Sequence, residues 1–180
     1  MIGPDTRETR PLTDRAREGV FSALAGLVEG AEVLDLYAGS GSIGIEALSR
    51  GAGQVVFVEK GREALGALRQ NLTNLGFENV TVIGQEVGEF LRTATGRFDL
   101  IFFDPPWAMD TEALAEQMKE ADRLAEDGAE LVVHRRRADP PPPGAGWRLL
   151  TIRRYGDGVI YRFEKSSANP FDQEDRKSVV

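Results

Sequence analysis

From Asp14 to Leu27, Val20, Phe21, Leu24 and Leu27 recur at helical spacing while Arg15, Arg17 and Glu18 fall elsewhere, which predicts an amphipathic helix capped by Thr13 or Asp14. The period then changes. Short β-rich runs at Glu32 to Tyr37, Gln54 to Glu59, Val80 to Ile83, Leu100 to Phe103 and Ala129 to His134 alternate with helical stretches at Ile43 to Arg50, Arg62 to Leu75, Val87 to Arg92 and Thr111 to Ala125. Continuous apolar runs such as Val55-Val56-Phe57-Val58 suit a parallel sheet covered on both faces. The ending differs: Trp147 to Tyr155 and Val159 to Glu164 flank Gly156-Asp157-Gly158, whose glycines suit a tight reversal into an antiparallel hairpin. The expectation is a doubly wound, Rossmann-like α/β domain over residues 1–165, with 1–28 as its opening segment and first helix. It has a seven-stranded, mostly parallel sheet that ends in the hairpin. Pro140 to Pro143 predicts a stiff extended connector, and the polar, aperiodic 166–180 a flexible tail.

Gly39-Ser40-Gly41-Ser42-Ile43-Gly44 is a G-x-G-x-x-G after a strand and opening a helix. Its glycines allow close backbone approach, and the helix start offers unpaired N–H groups. The loop alone does not name its ligand. Asp35, in the preceding strand-to-loop segment, separates the candidates, because a pyrophosphate would meet a like charge there, whereas the ammonium and sulfonium of S-adenosylmethionine would meet an opposite one. Glu59 ends the second strand, where a carboxylate can accept from both ribose hydroxyls. The expected donor-binding set is Asp35, Tyr37, Ala38, Gly39, Ser40, Gly41 and Glu59, joined by Glu86 and Val87 after the third strand.

Asp104-Pro105-Pro106-Trp107 follows Leu100 to Phe103, at the carboxyl end of the fourth strand, where open α/β sheets place their ligand crevice. The prolines remove two donors and leave the Pro105 carbonyl and the Asp104 carboxylate as acceptors, enough to hold both hydrogens of an exocyclic amine. Trp107 offers a stacking face worth about 1–3 kcal/mol to a planar base. The reaction expected is in-line displacement of an activated methyl by that amine, with Asp104, Pro105, Pro106 and Trp107 as catalytic residues and no metal. S-adenosylhomocysteine would be the product. His134 reads as a strand-end residue rather than a base.

At these residues the chain resembles the RsmD-type 16S ribosomal RNA (guanine-N2)-methyltransferases. Arg10-Pro11-Leu12-Thr13-Asp14-Arg15-Ala16-Arg17-Glu18 is similar to that family's Arg-Pro-x-x-Asp-Arg-x-Arg-Glu motif, and VLDLYAGSGSIGIEALSRG at 33–51 is its most specific piece. The Asp-Pro-Pro-aromatic segment and the Tyr155-Gly156-Asp157 turn also resemble it. The resemblance implies the class I S-adenosylmethionine methyltransferase fold and methylation of a guanine N2 amine in the small ribosomal subunit or its RNA. It also singles out Arg10, Arg15 and Arg17 as RNA contacts. Arg135, Arg136 and Arg137 after the fifth strand are further candidates to grip phosphate. Family members carry a basic, glycine-rich strand ahead of the arginine motif, whereas nine residues precede Arg10 here. Glu86 stands where Asp or Asn commonly meets the adenine amine. An adenine-N6 methyltransferase of DNA or RNA, a nicotinamide-dependent oxidoreductase and a non-catalytic assembly factor share parts of this pattern.

Composition changes the picture in two places. Across 180 residues there is no cysteine and one histidine, which removes disulfides, thiolate metal sites and multi-histidine centres. No apolar run approaches the ~18 residues of a membrane span, so the expectation is a cytoplasmic, monomeric globular protein. With 22 basic and 29 acidic residues the net charge is −7, which argues against a general nucleic-acid binder. The deficit is local, however. Residues 104–130 hold 2 basic and 9 acidic groups, while 131–162 hold 7 and 2, or +5. A local, salt-sensitive grip on RNA remains compatible with that distribution.

Overall fold

A computed structural model of the chain describes residues 12–138, 141 and 146–166; Arg10, most of Pro140 to Pro143 and nearly all of the expected tail lie outside them. Helix α1 (Asp14–Ala23) starts at Thr13, whose hydroxyl accepts from the Ala16 N–H and satisfies one of the orphan donors of the first turn. It stops four residues earlier than the spacing predicts. Gly26 takes φ +90°, and Leu27 lies exposed beyond the helix rather than on its buried face.

Strands β1 (Glu32–Leu36), β2 (Gln54–Glu59), β3 (Val80–Gly84), β4 (Phe98–Phe103) and β5 (Ala125–Arg136) run parallel; β6 (Trp147–Tyr155) and β7 (Gly158–Lys165) add the expected antiparallel hairpin. The spatial order is β3-β2-β1-β4-β5-β7-β6. Crossovers are made by α2 (Ser42–Ser49), α3 (Arg62–Leu75), α4 (Val87–Thr93) and α5 (Thr111–Asp122). Because β1 and β4 are central, successive residues bury on opposite faces. Val33, Phe57, Leu100 and Phe102 join α1, α2 and α3 in one core, while Leu34, Leu36, Ile101 and Phe103 join α4 and α5 in the other. Each such side chain contributes roughly 1.5–3 kcal/mol of burial.

Boundaries shift where tertiary pairing overrides composition. Residue 125, expected to end the last helix, instead begins β5, because Ala125 pairs with Phe98 across a register irregularity that leaves Glu126, Asp127 and Gly128 exposed. Gly19 lets α1 lie on the start of the hairpin turn: a Cβ there would collide with the Tyr155 hydroxyl. No helix among the described residues is long and apolar enough to cross a membrane.

Candidate active site

The glycine loop leaves β1 at the sheet's carboxyl edge. Gly41 caps α2 at φ +89°, and its missing Cβ would otherwise meet Leu68. Tyr37 also holds a positive φ of +61°, and its hydroxyl donates to Gln117 Oε1 at 2.6 Å. Burial raises the Tyr37 phenol above its ordinary range, the Gln117 contact lowers it, and Glu86 and Glu59 raise it further. Gly39 faces open space where a ligand could approach its backbone. Asn71 fastens the loop from α3, its Nδ2 donating to the Ser40 carbonyl at 3.1 Å. Its signal in the sequence is a polar side chain beside Leu68 and Leu72 on an otherwise apolar helix face, which the motif pattern does not single out.

Asp35 alternates with Leu34 and Leu36, so its carboxyl lies on the α2 side, where Oδ2 accepts the Gly44 N–H at 2.9 Å. The side chain is buried, and Oδ1 has no hydrogen-bond partner among the described residues. Burial pushes its pKa up to about 7; the Gly44 N–H lowers it, and the nearby Asp104 and Glu59 raise it. Glu59 accepts from the Gly39 N–H at 2.9 Å and from the Gly61 N–H at 2.6 Å, bridging the glycine loop and the start of α3. Glu86 is the N-cap of α4, accepting from the Glu89 N–H at 2.9 Å, and Val87 is buried behind it. An orphaned buried carboxylate oxygen, a second carboxylate and an open glycine backbone suit a ligand with an ammonium and a ribose, as S-adenosylmethionine has.

The second loop begins at Asp104, whose N–H donates to the Leu36 carbonyl at 3.4 Å, so both motifs leave neighbouring strands side by side. Asp104 Oδ1 lies 2.8 Å from His134 Nδ1. The Pro106 carbonyl accepts from the Met109 N–H at 3.0 Å and from Arg135 Nη1 at 3.4 Å, while Arg135 Nη2 donates to the Met109 carbonyl at 2.8 Å. Among the described residues the Pro105 carbonyl and the second Asp104 oxygen are the motif's uncommitted acceptors. A cleft of about 520 Å³ opens beside Trp107 and His134, walled by Arg15, Arg154, Tyr155 and Asp157.

One arginine does not stand where an RNA contact needs it. Arg135 is only 1% exposed and is a buried brace for the Asp104 loop, because the β5 pleat turns it inward. Arg17 pairs with Asp14 at 2.8 Å and approaches Glu46 at 3.7 Å, which ties α1 to α2. Arg15, Arg136 and Arg137 are exposed. Arg154 at the cleft wall was not singled out in the sequence; its signal was the arginine pair ahead of the hairpin glycines.

A family profile described as Conserved hypothetical protein 95 matches residues 2–164. The chain is similar to ribosomal RNA small subunit methyltransferase D of Escherichia coli K12, with 32% identity covering 92% of this chain and 83% of that one. It is 33% identical to the protein of the same name from Haemophilus influenzae, over 85% of this chain and 81% of that one. The solved structure of yhhF from Escherichia coli superposes with a TM-score of 0.81 at 30% identity, covering 92% and 91% of the two chains. Magnesium protoporphyrin IX methyltransferase from Synechocystis, solved with S-adenosylmethionine bound, shares the fold alone, at 19% identity and a TM-score of 0.67 over 83% of this chain and 79% of that one. The seven-stranded sheet with its closing hairpin is the class I S-adenosylmethionine methyltransferase fold.

Proposed function

The chain belongs to the RsmD family, and from that premise we propose that it transfers a methyl group from S-adenosylmethionine to the exocyclic N2 amine of a guanine in small-subunit ribosomal RNA. The observation that carries the reading is the Asp104 N–H to Leu36 carbonyl bond, which sets the amine-accepting loop against the glycine loop. Proximity of that kind accounts for most of the catalysis a displacement reaction needs.

S-adenosylmethionine, when bound, supplies a methyl already activated on a sulfonium. Asp35 Oδ1 would hold its ammonium, Glu59 its ribose, and the Gly39 to Gly41 backbone its methionine portion. Glu86 and Val87 would border its adenine. In the acceptor half, Asp104 and the Pro105 carbonyl each take one N–H of the guanine amine and hold its lone pair toward the methyl, while Trp107 stacks on the base. Asp104 is first a positioning group, since the methylated amine is acidic enough to lose its proton to water. Arg15 and Arg154, which both line the cleft, suit the flanking phosphates.

Transfer of labelled methyl onto purified small subunits, followed by nucleoside analysis, tests the proposal. N2-methylguanosine is expected, and N6-methyladenosine would redirect the reading to adenine. Asp104→Ala is expected to abolish transfer while S-adenosylhomocysteine binding is largely kept. Loss of that binding, or full activity, would contradict the assigned roles.

A further inference from the structure

We propose that His134 is a positioning residue for methyl transfer: its Nδ1–H holds one oxygen of Asp104 and thereby turns the other toward the acceptor amine. The inference rests on the methyltransferase reading of the Asp104 loop and adds to it the group that sets the carboxylate's angle.

The geometry leaves the imidazole little freedom. His134 lies near the end of β5, paired in register with Ile160 of β7, and is only 7% exposed. On one side, a Cβ at Gly158 would lie 2.5 Å from Nε2, so the glycine that opens β7 is what makes room for the ring. On another, the Trp107 ring meets it edge-on, with centroids 6.2 Å apart and planes at 73°. Nδ1 then sits 2.8 Å from Asp104 Oδ1. A carboxylate only accepts, so the Nδ1 that faces it carries the proton.

Asp104 needs such a partner. Its side chain is about a fifth exposed, and a carboxylate at a cleft wall otherwise samples a broad terminal torsion. Binding Oδ1 to a ring wedged between Gly158 and Trp107 removes that freedom before substrate arrives. Oδ2, which no described residue engages, is left for the amine. The same ring contacts Trp107, so one histidine couples the orientation of the amine acceptor to that of the stacking face.

Two measurements test this. His134 is the chain's one histidine, so its imidazole ¹⁵N resonances need no assignment. They are expected to show a protonated Nδ1 that is perturbed by Asp104→Ala; a neutral ring protonated only at Nε2 would overturn the proposal. This readout requires no methyl transfer and stands apart from the functional reading. In steady-state methylation of small subunits, His134→Ala is expected to lower kcat on the order of 10- to 100-fold, with KM for the subunit and S-adenosylhomocysteine affinity within about twofold. His134→Asn, which places an amide N–H near the Nδ1 position, is expected to recover kcat to within about threefold of wild type. Unchanged kcat in His134→Ala, or equal losses in both variants, would mean that the ring only fills space. A wild-type chain that methylates no subunit would overturn the functional reading and the catalytic role together.

Discussion

The Gly44 backbone N–H donates to Asp35 Oδ2 at 2.9 Å and ties the first turn of α2 to the end of β1. The carboxyl that makes this bond is buried, its Oδ1 has no hydrogen-bond partner among the described residues, and burial pushes its pKa up to about 7. Gly44 itself must lack a side chain, since a Cβ would strike the Phe57 ring and lie 2.9 Å from Val55 Cγ1. The loop is therefore held by packing as well as by charge.

Stability should fall as Asp35 ionises. Its folded pKa is raised from 3.8 to about 7, so its favourable contribution is complete below about pH 4 and is lost as pH rises through 7. The shift corresponds to a few kcal/mol in order of magnitude. Asp35→Asn should flatten the slope of stability between pH 4 and 7 in denaturant titrations; an unchanged slope would assign the dependence to other groups.

Ligand binding should run the other way. At pH 6 the carboxyl is mostly protonated, whereas an ammonium against Oδ1 favours the carboxylate, so binding releases up to about one proton. Calorimetry with S-adenosylhomocysteine in two buffers of different ionisation enthalpy should give different heats at pH 6 and converging heats at pH 8. Equal heats at pH 6 would place the ammonium elsewhere.

Arg135 should act through the loop it braces. Arg135→Met leaves the Met109 carbonyl without its charged donor and the Pro106 carbonyl with one partner fewer. The expected cost is about 2–4 kcal/mol of unfolding free energy, read from the shift in denaturant midpoint, together with reduced transfer. The salt dependence of RNA binding should not change, whereas a phosphate contact would lower its slope.

Arg15 and Arg154 should show that slope change. Replacing both by Ala is expected to weaken binding of a small-subunit RNA fragment and to reduce the slope of log affinity against log salt by about 1.4 to 1.8. Titrations between 50 and 200 mM salt would measure it, and an unaltered slope would remove both from the RNA contact.

The fold was legible because its signals are local. Both the apolar strand runs and the 3.6-residue helix faces survive in sequence, and Gln54–Glu59, Arg62–Leu75 and Trp147–Tyr155 fall where the pattern puts them. Boundaries failed where pairing or a turn conformation outweighs composition, as at Gly26 and along Glu126 to Gly128. The candidate loops were legible too, since glycines and prolines restrict the backbone wherever they occur.

By itself, then, the sequence determined the α/β class, the closing hairpin and the two chemical loops, Gly39 to Gly44 and Asp104 to Trp107. Tertiary structure decided how they are joined and what stands behind them. Only the adjacency of β1 and β4 brings Leu36 to Asp104, and only the pairing of β5 with β7 places His134 in the gap left by Gly158. The pleat puts Arg135 on the face of Val133, under the Asp104 loop, whereas Arg136, the last residue of β5, stays in solvent. Residue type gives the charge of an arginine or the nitrogens of a histidine; which neighbours they meet depends on strand order and register, set by long-range burial rather than by local spacing.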